Sequence, residues 1–319
     1  MQPLYYYQPK SLADASSYIL AHPGSKAIAG GTEVMHSLKQ NNLPSEPTTL
    51  VDLNAISGLN TITVSGSVLK IGPNATLYSI ANSSTVQTNA RALSMAAAAA
   101  ASPLLRNMGT IAGNITQDVW CWYYRAPENI YNCIRKGGAI CYAQAGDNRI
   151  YHSIFGGPKG CYSIHPSDTG VALSALGASV VTTKQTLTMD NFFYDMAPGN
   201  NLANGELIQE IDVPVPASGS NSAFVKIAMR PTLDFALASA AVWYTPASAA
   251  VTSCKVYLGG VFQTPYHATA AETALTGQTI SATTAATVGQ AAVSAATPMT
   301  LNSYKKIVAS TAVARALQA

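Results

Sequence analysis

Charge is what this 319-residue chain has least of: Asp, Glu, Lys and Arg make up 10% of it, against about 25% in an ordinary soluble chain. Eighteen basic and fifteen acidic residues leave a net charge of +3, with no basic block anywhere. A nucleic-acid surface needs Lys and Arg gathered on one face, so that partner is excluded. No run approaches the ~20 uninterrupted apolar residues of a membrane span. The stretch Ala96–Ala101 is short and reads as a small-residue helix packed closely on a neighbour. The start, Met1-Gln2-Pro3-Leu4-Tyr5, has no basic stretch followed by an apolar core, so no signal peptide is visible and any export depends on a partner that carries one. G-x-S-x-G, H-E-x-x-H, the P-loop and G-x-G-x-x-G are also missing, which removes the usual signatures of serine hydrolases, zinc proteases, P-loop enzymes and Rossmann folds. Ser, Thr, Asn, Gln and Ala stand where the charge is missing. Two accounts of that bias stay open: a surface of neutral polar groups, or a large area buried against partner subunits.

What is present is a globular pattern, 48% apolar, long enough to bury a sizeable core in more than one lobe. Tyr5–Gln8 is β-prone, and Ser11 caps a helix. Lys26–Ala29 is a short apolar strand running into Gly30-Gly31, followed by a helical pattern through Val34, Met35 and Leu38, then a strand over Thr49–Leu53. From Leu59 the apolar period becomes two, as in a hairpin (Ile62, Val64; Leu69, Ile71). Helices are expected over Asn74–Asn82, Ala90–Ala101 and Val171–Leu176, and strands over Ala178–Val181, Leu207–Val213, Phe224–Met229, Ala238–Tyr244 and Val256–Val261, with Ala-rich helices at the end. Residues 118–160 are turn-rich and dense in Cys, Trp, Tyr and Gly; a loop that long needs something to tie it down. A lobe boundary is expected near Val180.

Three features carry chemistry. Ala29-Gly30-Gly31-Thr32-Glu33 sits at a strand-to-helix turn; paired glycines let backbone approach a phosphate, and the next N–H groups point at it. Alone, it also reads as a plain tight turn. Ser102–Ile115 mixes small and polar residues with apolar ones, which suits either a strip along a flat ligand or a glycine-rich connection. Finally, Cys121, Cys133, Cys141 and Cys161 fall within 41 residues, while Cys254 lies alone in an expected strand as a core residue. Thiolates favour iron–sulfur or zinc. Gaps of eleven, seven and nineteen residues fit the close pairs of a zinc site poorly, and disulfides need an oxidising compartment. His152 and His165 flank the last cysteine and read as satisfied polar residues; Trp120, Trp122, Tyr123 and Tyr124 read as core, interface or a shield around a cluster.

Taken in order, "AGGTEVMHSLK", "ASPLLRNMGTIAGNI", "HPSDTGVALSALGA", "GELIQEIDVPVP", "AFVKIAMRPTLDFALASAAV" and "VYLGGVFQTPYHATAAETALTG" resemble the FAD-binding subunits of the xanthine dehydrogenase, carbon monoxide dehydrogenase and aldehyde oxidoreductase family over nearly the whole chain. The resemblance implies an α+β protein with a vanillyl-alcohol-oxidase (PCMH)-type FAD-binding fold in two N-terminal lobes, over residues 1–180, and a smaller C-terminal α+β domain over 181–319. Carried over by position, Ala29, Gly30, Gly31, Thr32, Glu33 and Val34 wrap the FAD pyrophosphate, and Thr110, Ile111, Gly113 and Asn114 line its other side. Asp168 reaches the adenosine or ribitol end, Ile208 the adenine, and Lys226 the flavin ring. The segment 118–162 is an insertion relative to most members. It resembles the four-cysteine insertion of 4-hydroxybenzoyl-CoA reductase and periplasmic aldehyde oxidoreductases, which implies a [4Fe–4S] cluster on Cys121, Cys133, Cys141 and Cys161.

The implied activity is electron transfer within an oxidoreductase complex. A large partner subunit holds a molybdenum cofactor and oxidises an aldehyde or N-heterocycle; a small partner carries two [2Fe–2S] clusters; the FAD here passes electrons to a terminal acceptor. No catalytic acid or base is expected in this chain. The compartment is the periplasm, by co-export with a signal-bearing partner, or the cytoplasm. The alternatives are a self-contained flavin oxidase of small alcohols or aldehydes, and a non-enzymatic metal-binding scaffold.

Overall fold

Ser11 accepts a hydrogen bond from Asp14 N at 3.1 Å, and this cap starts the first helix of the chain. The computed structural model describes residues 2–43 and 45–319. The first lobe runs β1 (Tyr5–Tyr7), α1 (Leu12–Ala21), β2 (Ser25–Ile28), α2 (Val34–Gln40) and β3 (Thr49–Asp52). Its three strands are parallel in the order β1-β3-β2. Ala15, Ile19 and Val51 form the small core beneath α1.

The second lobe holds a five-stranded antiparallel sheet. Its first two strands, β4 (Ile62–Ser65) and β5 (Val68–Ile71), are joined by Gly66-Ser67; Gly66 has φ +60°, the left-handed backbone that a two-residue hairpin loop requires. Then come α3 (Leu77–Asn82), α4 (Ser84–Asn89), α5 (Arg91–Ala99), α6 (Pro103–Met108), α7 (Ile111–Thr116), α8 (Asp168–Ala175), β6 (Ser179–Thr182), β7 (Thr186–Thr188), α9 (Met189–Phe192) and β8 (Ile208–Pro214). The sheet order is β4-β5-β8-β6-β7. Val180 lies inside β6 and pairs with Ile211 and Leu187, so this sheet continues through Pro214.

The third lobe is a four-stranded antiparallel sheet, order β12-β11-β10-β9, built from β9 (Asn221–Ile227), β10 (Ala238–Thr245), β11 (Ser253–Gly259) and β12 (Tyr266–His267). It carries α10 (Thr269–Leu275), α11 (Ala282–Ala292) and α12 (Lys305–Leu317). Every residue of α8 is buried, because that helix is wedged between the second-lobe core and the third-lobe sheet; Val171, Leu173, Phe224, Ala241 and Tyr257 share one cluster. Among the described residues, no helix is long and apolar enough to cross a membrane.

Residues 117–167 have no element longer than one turn of 3₁₀ helix. Their ends are closed by a two-way pairing of Trp120 with Ile164 (N–O 2.8 and 3.1 Å). Their far side docks on the third lobe. Ile154 N donates to Val261 O at 3.0 Å and His165 N to Phe262 O at 2.8 Å. The fully buried Lys305 ammonium donates to Ile150 O, His152 O and Gly260 O at 2.8, 3.0 and 2.6 Å. Three protons meet three carbonyls, which matches the charged form, although burial pulls the other way and pushes its pKa down to about 7.

His165 sits against the edge of the Phe193 ring, and its Nδ1 accepts from Ser167 N at 3.2 Å. Burial pushes its pKa from 6.5 down to about 4. The folded state thus holds His165 neutral where the unfolded chain protonates it. Its contribution is full above about pH 6.5 and is lost as pH falls through 4, with a ceiling of about 3 kcal/mol. Calorimetry across that range is expected to show a shallower loss of thermal midpoint in His165→Gln than in the wild-type chain; equal slopes would remove His165 from the acid response.

Candidate functional site

One cavity of about 820 Å³ dominates the described residues. Its walls are the β2–α2 turn, the α6–α7 corner, the first residue of α8, the start of β8 and part of the cysteine segment. Ala29, Gly30, Gly31, Thr32, Glu33, Val34, Thr110, Gly113, Asn114, Asp168 and Ile208 all line it. The structure therefore brings together eleven of the thirteen expected cofactor contacts.

The glycines are set by geometry. A Cβ on Gly30 would lie 2.0 Å from the Met108 carbonyl oxygen, so the turn and the end of α6 meet backbone to backbone. Gly31 has φ +69°, which a side chain disfavours. The first backbone bond of α2 runs from Met35 N to Gly31 O at 2.9 Å, so the N–H groups of Thr32, Glu33 and Val34 precede the helical ladder and have no intrahelical acceptor. Across the cavity, Ser102 caps α6 and Thr110 caps α7, its hydroxyl accepting from Gly113 N at 3.1 Å. Asn114 Oδ1 accepts from Ser167 Oγ and Thr169 Oγ1, both at 2.6 Å, which fixes the amide in the wall.

Two expected contacts stand elsewhere. Ile111 is fully buried in the second-lobe core; it is the first residue of α7, and its N–H donates to Ala75 O at 2.9 Å. Lys226 does not line the cavity but stands behind it, paired with Asp168 at 2.8 Å and donating to Ala99 O at 3.0 Å. Burial raises the Asp168 pKa, and the Lys226 ammonium opposes that rise.

Sequence reasoning missed the share of the cysteine segment in this cavity. Asp118, Tyr124 and Arg125 line it, as does Phe235 from the third lobe. Tyr124 donates its hydroxyl to Asp118, and Arg125 pairs with Glu33. The only available signal was scarcity: in a chain with 18 basic residues, arginines set among aromatics and cysteines are unlikely to be idle surface charge.

Cys121, Cys133 and Cys161 are buried and Cys141 is half-buried, all as free thiols. Cys121, Cys141 and Cys161 lie within electrostatic reach of one another, as do Cys141 and Cys133. His152 Nε2 stands 3.2 Å from Cys121 Sγ, and Ser163 Oγ 3.2 Å from Cys161 Sγ. Burial pushes the Cys121 thiol up to about 12 and raises Cys141 as well. Tyr123, Tyr131 and Tyr142 wall one side, with ring centroids 5.0–6.0 Å apart. Among the described residues, no three His, Cys, Asp or Glu side chains converge as ligands of a single metal ion. Cys254 lies apart in β11, its thiol on Glu272 O at 3.6 Å.

Residues 2–216 match the family described as the FAD binding domain in molybdopterin dehydrogenase, and residues 223–319 the CO dehydrogenase flavoprotein C-terminal domain. The FAD-binding subunit of aldehyde oxidoreductase from Escherichia coli is 32% identical over 287 residues, covering 86% of each chain. The carbon monoxide dehydrogenase medium chain of Hydrogenophaga pseudoflava is 27% identical over 261 residues, covering 81% of this chain and 75% of the relative. A solved structure of carbon monoxide dehydrogenase from that organism superposes with a TM-score of 0.78 at 25% identity, over 100% of this chain and 98% of the other. The cavity geometry, the two matched domains and this fold agree: the chain belongs to the family of FAD-binding medium subunits of the molybdenum hydroxylases, an oxidoreductase family.

Proposed function

We propose that this chain holds one FAD in the 820 Å³ cavity and one [4Fe–4S] cluster on Cys121, Cys133, Cys141 and Cys161, and relays electrons in a three-subunit aldehyde or N-heterocycle oxidising complex. The large partner holds the molybdenum cofactor and the organic substrate, and the small partner two [2Fe–2S] clusters. The compartment, periplasm or cytoplasm, follows that of a signal-bearing partner. We propose the division between FAD-binding and C-terminal parts between residues 216 and 223, later than the boundary near Val180 read from the sequence; the second-lobe sheet ends and the third begins there.

The observation that carries the flavin reading is the pair of facing turns. Gly30 and Gly31 bring backbone to the cavity, and the N–H groups of Thr32, Glu33 and Val34 are oriented by a helix start, an arrangement suited to a pyrophosphate. Thr110, Gly113 and Asn114 bound the opposite wall. Asp168 and Ile208 line the remainder, and Lys226 holds Asp168 in place from behind. FAD bound here supplies exchange between one-electron and two-electron transfer. The protein groups bind and orient it; the apolar residues Leu77, Leu105 and Phe235 limit water.

The cluster reading rests on the donor set. A [4Fe–4S] cubane binds each thiolate to a different iron, so its ligands stand further apart than those of a single ion. Cys121, Cys141 and Cys161 neighbour one another and Cys133 neighbours Cys141, with no single point of convergence among the described residues. Loading must displace protons that burial holds on Cys121 and Cys141.

Visible spectroscopy with iron and flavin quantified is expected to give about four irons and one FAD per chain. Cys133→Ser should abolish cluster absorbance and iron; full iron content in that variant sinks the assignment. Gly30→Ala should weaken FAD binding by about tenfold or more, since the methyl group must displace Met108 backbone. Fluorescence titration that finds wild-type affinity would take the glycine turn out of the flavin site.

A further inference from the structure

We infer that Arg125 couples the cysteine segment to the FAD cavity, so that ligation of the thiols sets the shape of the flavin site; this rests on the two cofactor sites proposed above. Arg125 N donates to Cys121 O at 2.9 Å, closing one helical turn, so the place of the arginine follows from that of the cysteine. Its side chain is 6% exposed, and all three guanidinium nitrogens are engaged. Nε donates to Val119 O at 3.0 Å and Nη2 to Asp118 O at 2.8 Å, both in the cysteine segment. Nη1 donates to Ser37 Oγ at 3.1 Å and pairs with the Glu33 carboxylate, both across the boundary on α2 and its cap. The guanidinium also lies 5.2 Å from the Trp120 ring centroid. A planar fork that reaches four acceptors fixes two segments rigidly against each other, which a lysine point charge does not.

Further contacts run along the same seam. Asn42 Nδ2 donates to Arg125 O at 2.8 Å, Asn129 Nδ2 to Leu43 O at 2.9 Å, and Asn41 Nδ2 to Glu128 Oε2 at 2.6 Å. Glu33, Ser37, Asn42 and Leu43 all line the cavity, together with Arg125 itself. One wall of the flavin cavity thus rests on residues 118–129. That stretch has only single turns of its own, so ligated thiols would add a tie that its local structure does not supply. Ligating the thiols pins Cys121 and through it Arg125, which fixes the cation beside Glu33 and the support of the glycine turn more tightly. The linkage is reciprocal: bound FAD favours the segment conformation that accepts the cluster. Arg125 acts as a positioning residue, through Glu33 and α2.

The test uses the full chain, purified with whatever subunits accompany it. Iron per chain is measured first in the wild-type protein, then in Arg125→Gln, Arg125→Lys, Cys133→Ser and the Arg125→Gln/Cys133→Ser double variant. FAD dissociation constants are measured by ultrafiltration and flavin fluorescence, and folding by circular dichroism. Arg125→Gln is expected to keep its iron while FAD binding weakens by about tenfold or more, and Arg125→Lys to recover part of that loss. Cys133→Ser is expected to lose iron and weaken FAD binding similarly, with the double variant little worse than either single, as for two steps of one path. Wild-type FAD affinity in Arg125→Gln overturns the inference, and so does Cys133→Ser that loses iron yet binds FAD normally. Should Arg125→Gln not fold, wild-type FAD affinity in Arg125→Lys overturns it equally. Wild-type protein with FAD and no iron overturns the cluster reading itself, and that outcome is visible before any variant is made.

Discussion

Asp168 and Lys226 face each other at 2.8 Å with side chains only 5% and 4% exposed, and three elements meet on that contact. Asp168 opens α8, Lys226 lies on β9, and the same ammonium reaches the carbonyl of Ala99 at the end of α5. The pair therefore fastens the second lobe to the third-lobe sheet along the cavity wall. Removing either partner leaves a charge buried alone, at a cost of about 3–5 kcal/mol. In a chain this poor in charge, several of the few ions present are buried and structural: Arg125 with Glu33, Arg135 with Asp118, and Lys305 among carbonyls.

Much of the scaffold was legible because local rules are strong where they apply. Ser11 announced its helix, the period of two from Ile62 to Ile71 announced the hairpin, and the apolar runs near 208, 224, 238 and 256 announced strands. The stretch 102–115 did not announce α6 and α7. Each helix has six residues, too few for an apolar period, and both begin from caps that also occur in turns. Eleven of the positions taken from the family resemblance line the cavity, while Ile111 and Lys226 stand outside it. A motif locates a backbone strip, whereas side-chain direction is decided by packing: Ile111 points into the core and Lys226 toward Asp168. Nothing in the sequence tells that Arg125 reaches back 88 positions to Ser37, since such contacts depend on how lobes come together.

The cysteine segment illustrates how irregular chain can be specified without regular elements. It has one antiparallel pairing at its neck, short turns in its body, and hydrogen bonds to both neighbours. Its near side supports the cavity wall through Arg125 and Asn129. Its far side leans on the third lobe through Ile154, His165 and Gln263. Such a segment borrows its order from what it touches, so its conformational entropy is offset by contacts made at a distance in sequence.

Lys305 gives that dependence a direction in time. The carbonyls it gathers, on residues 150 and 152, are made about 150 residues before the ammonium that binds them. A growing chain emerges from its amino end, and contacts of high sequence separation close last. The neck and the first two lobes have left the ribosome while this clamp is still unmade. The cysteine segment reaches its final form only when α12 has been synthesised and docked, so the shape of this irregular stretch is settled long after its own residues are made.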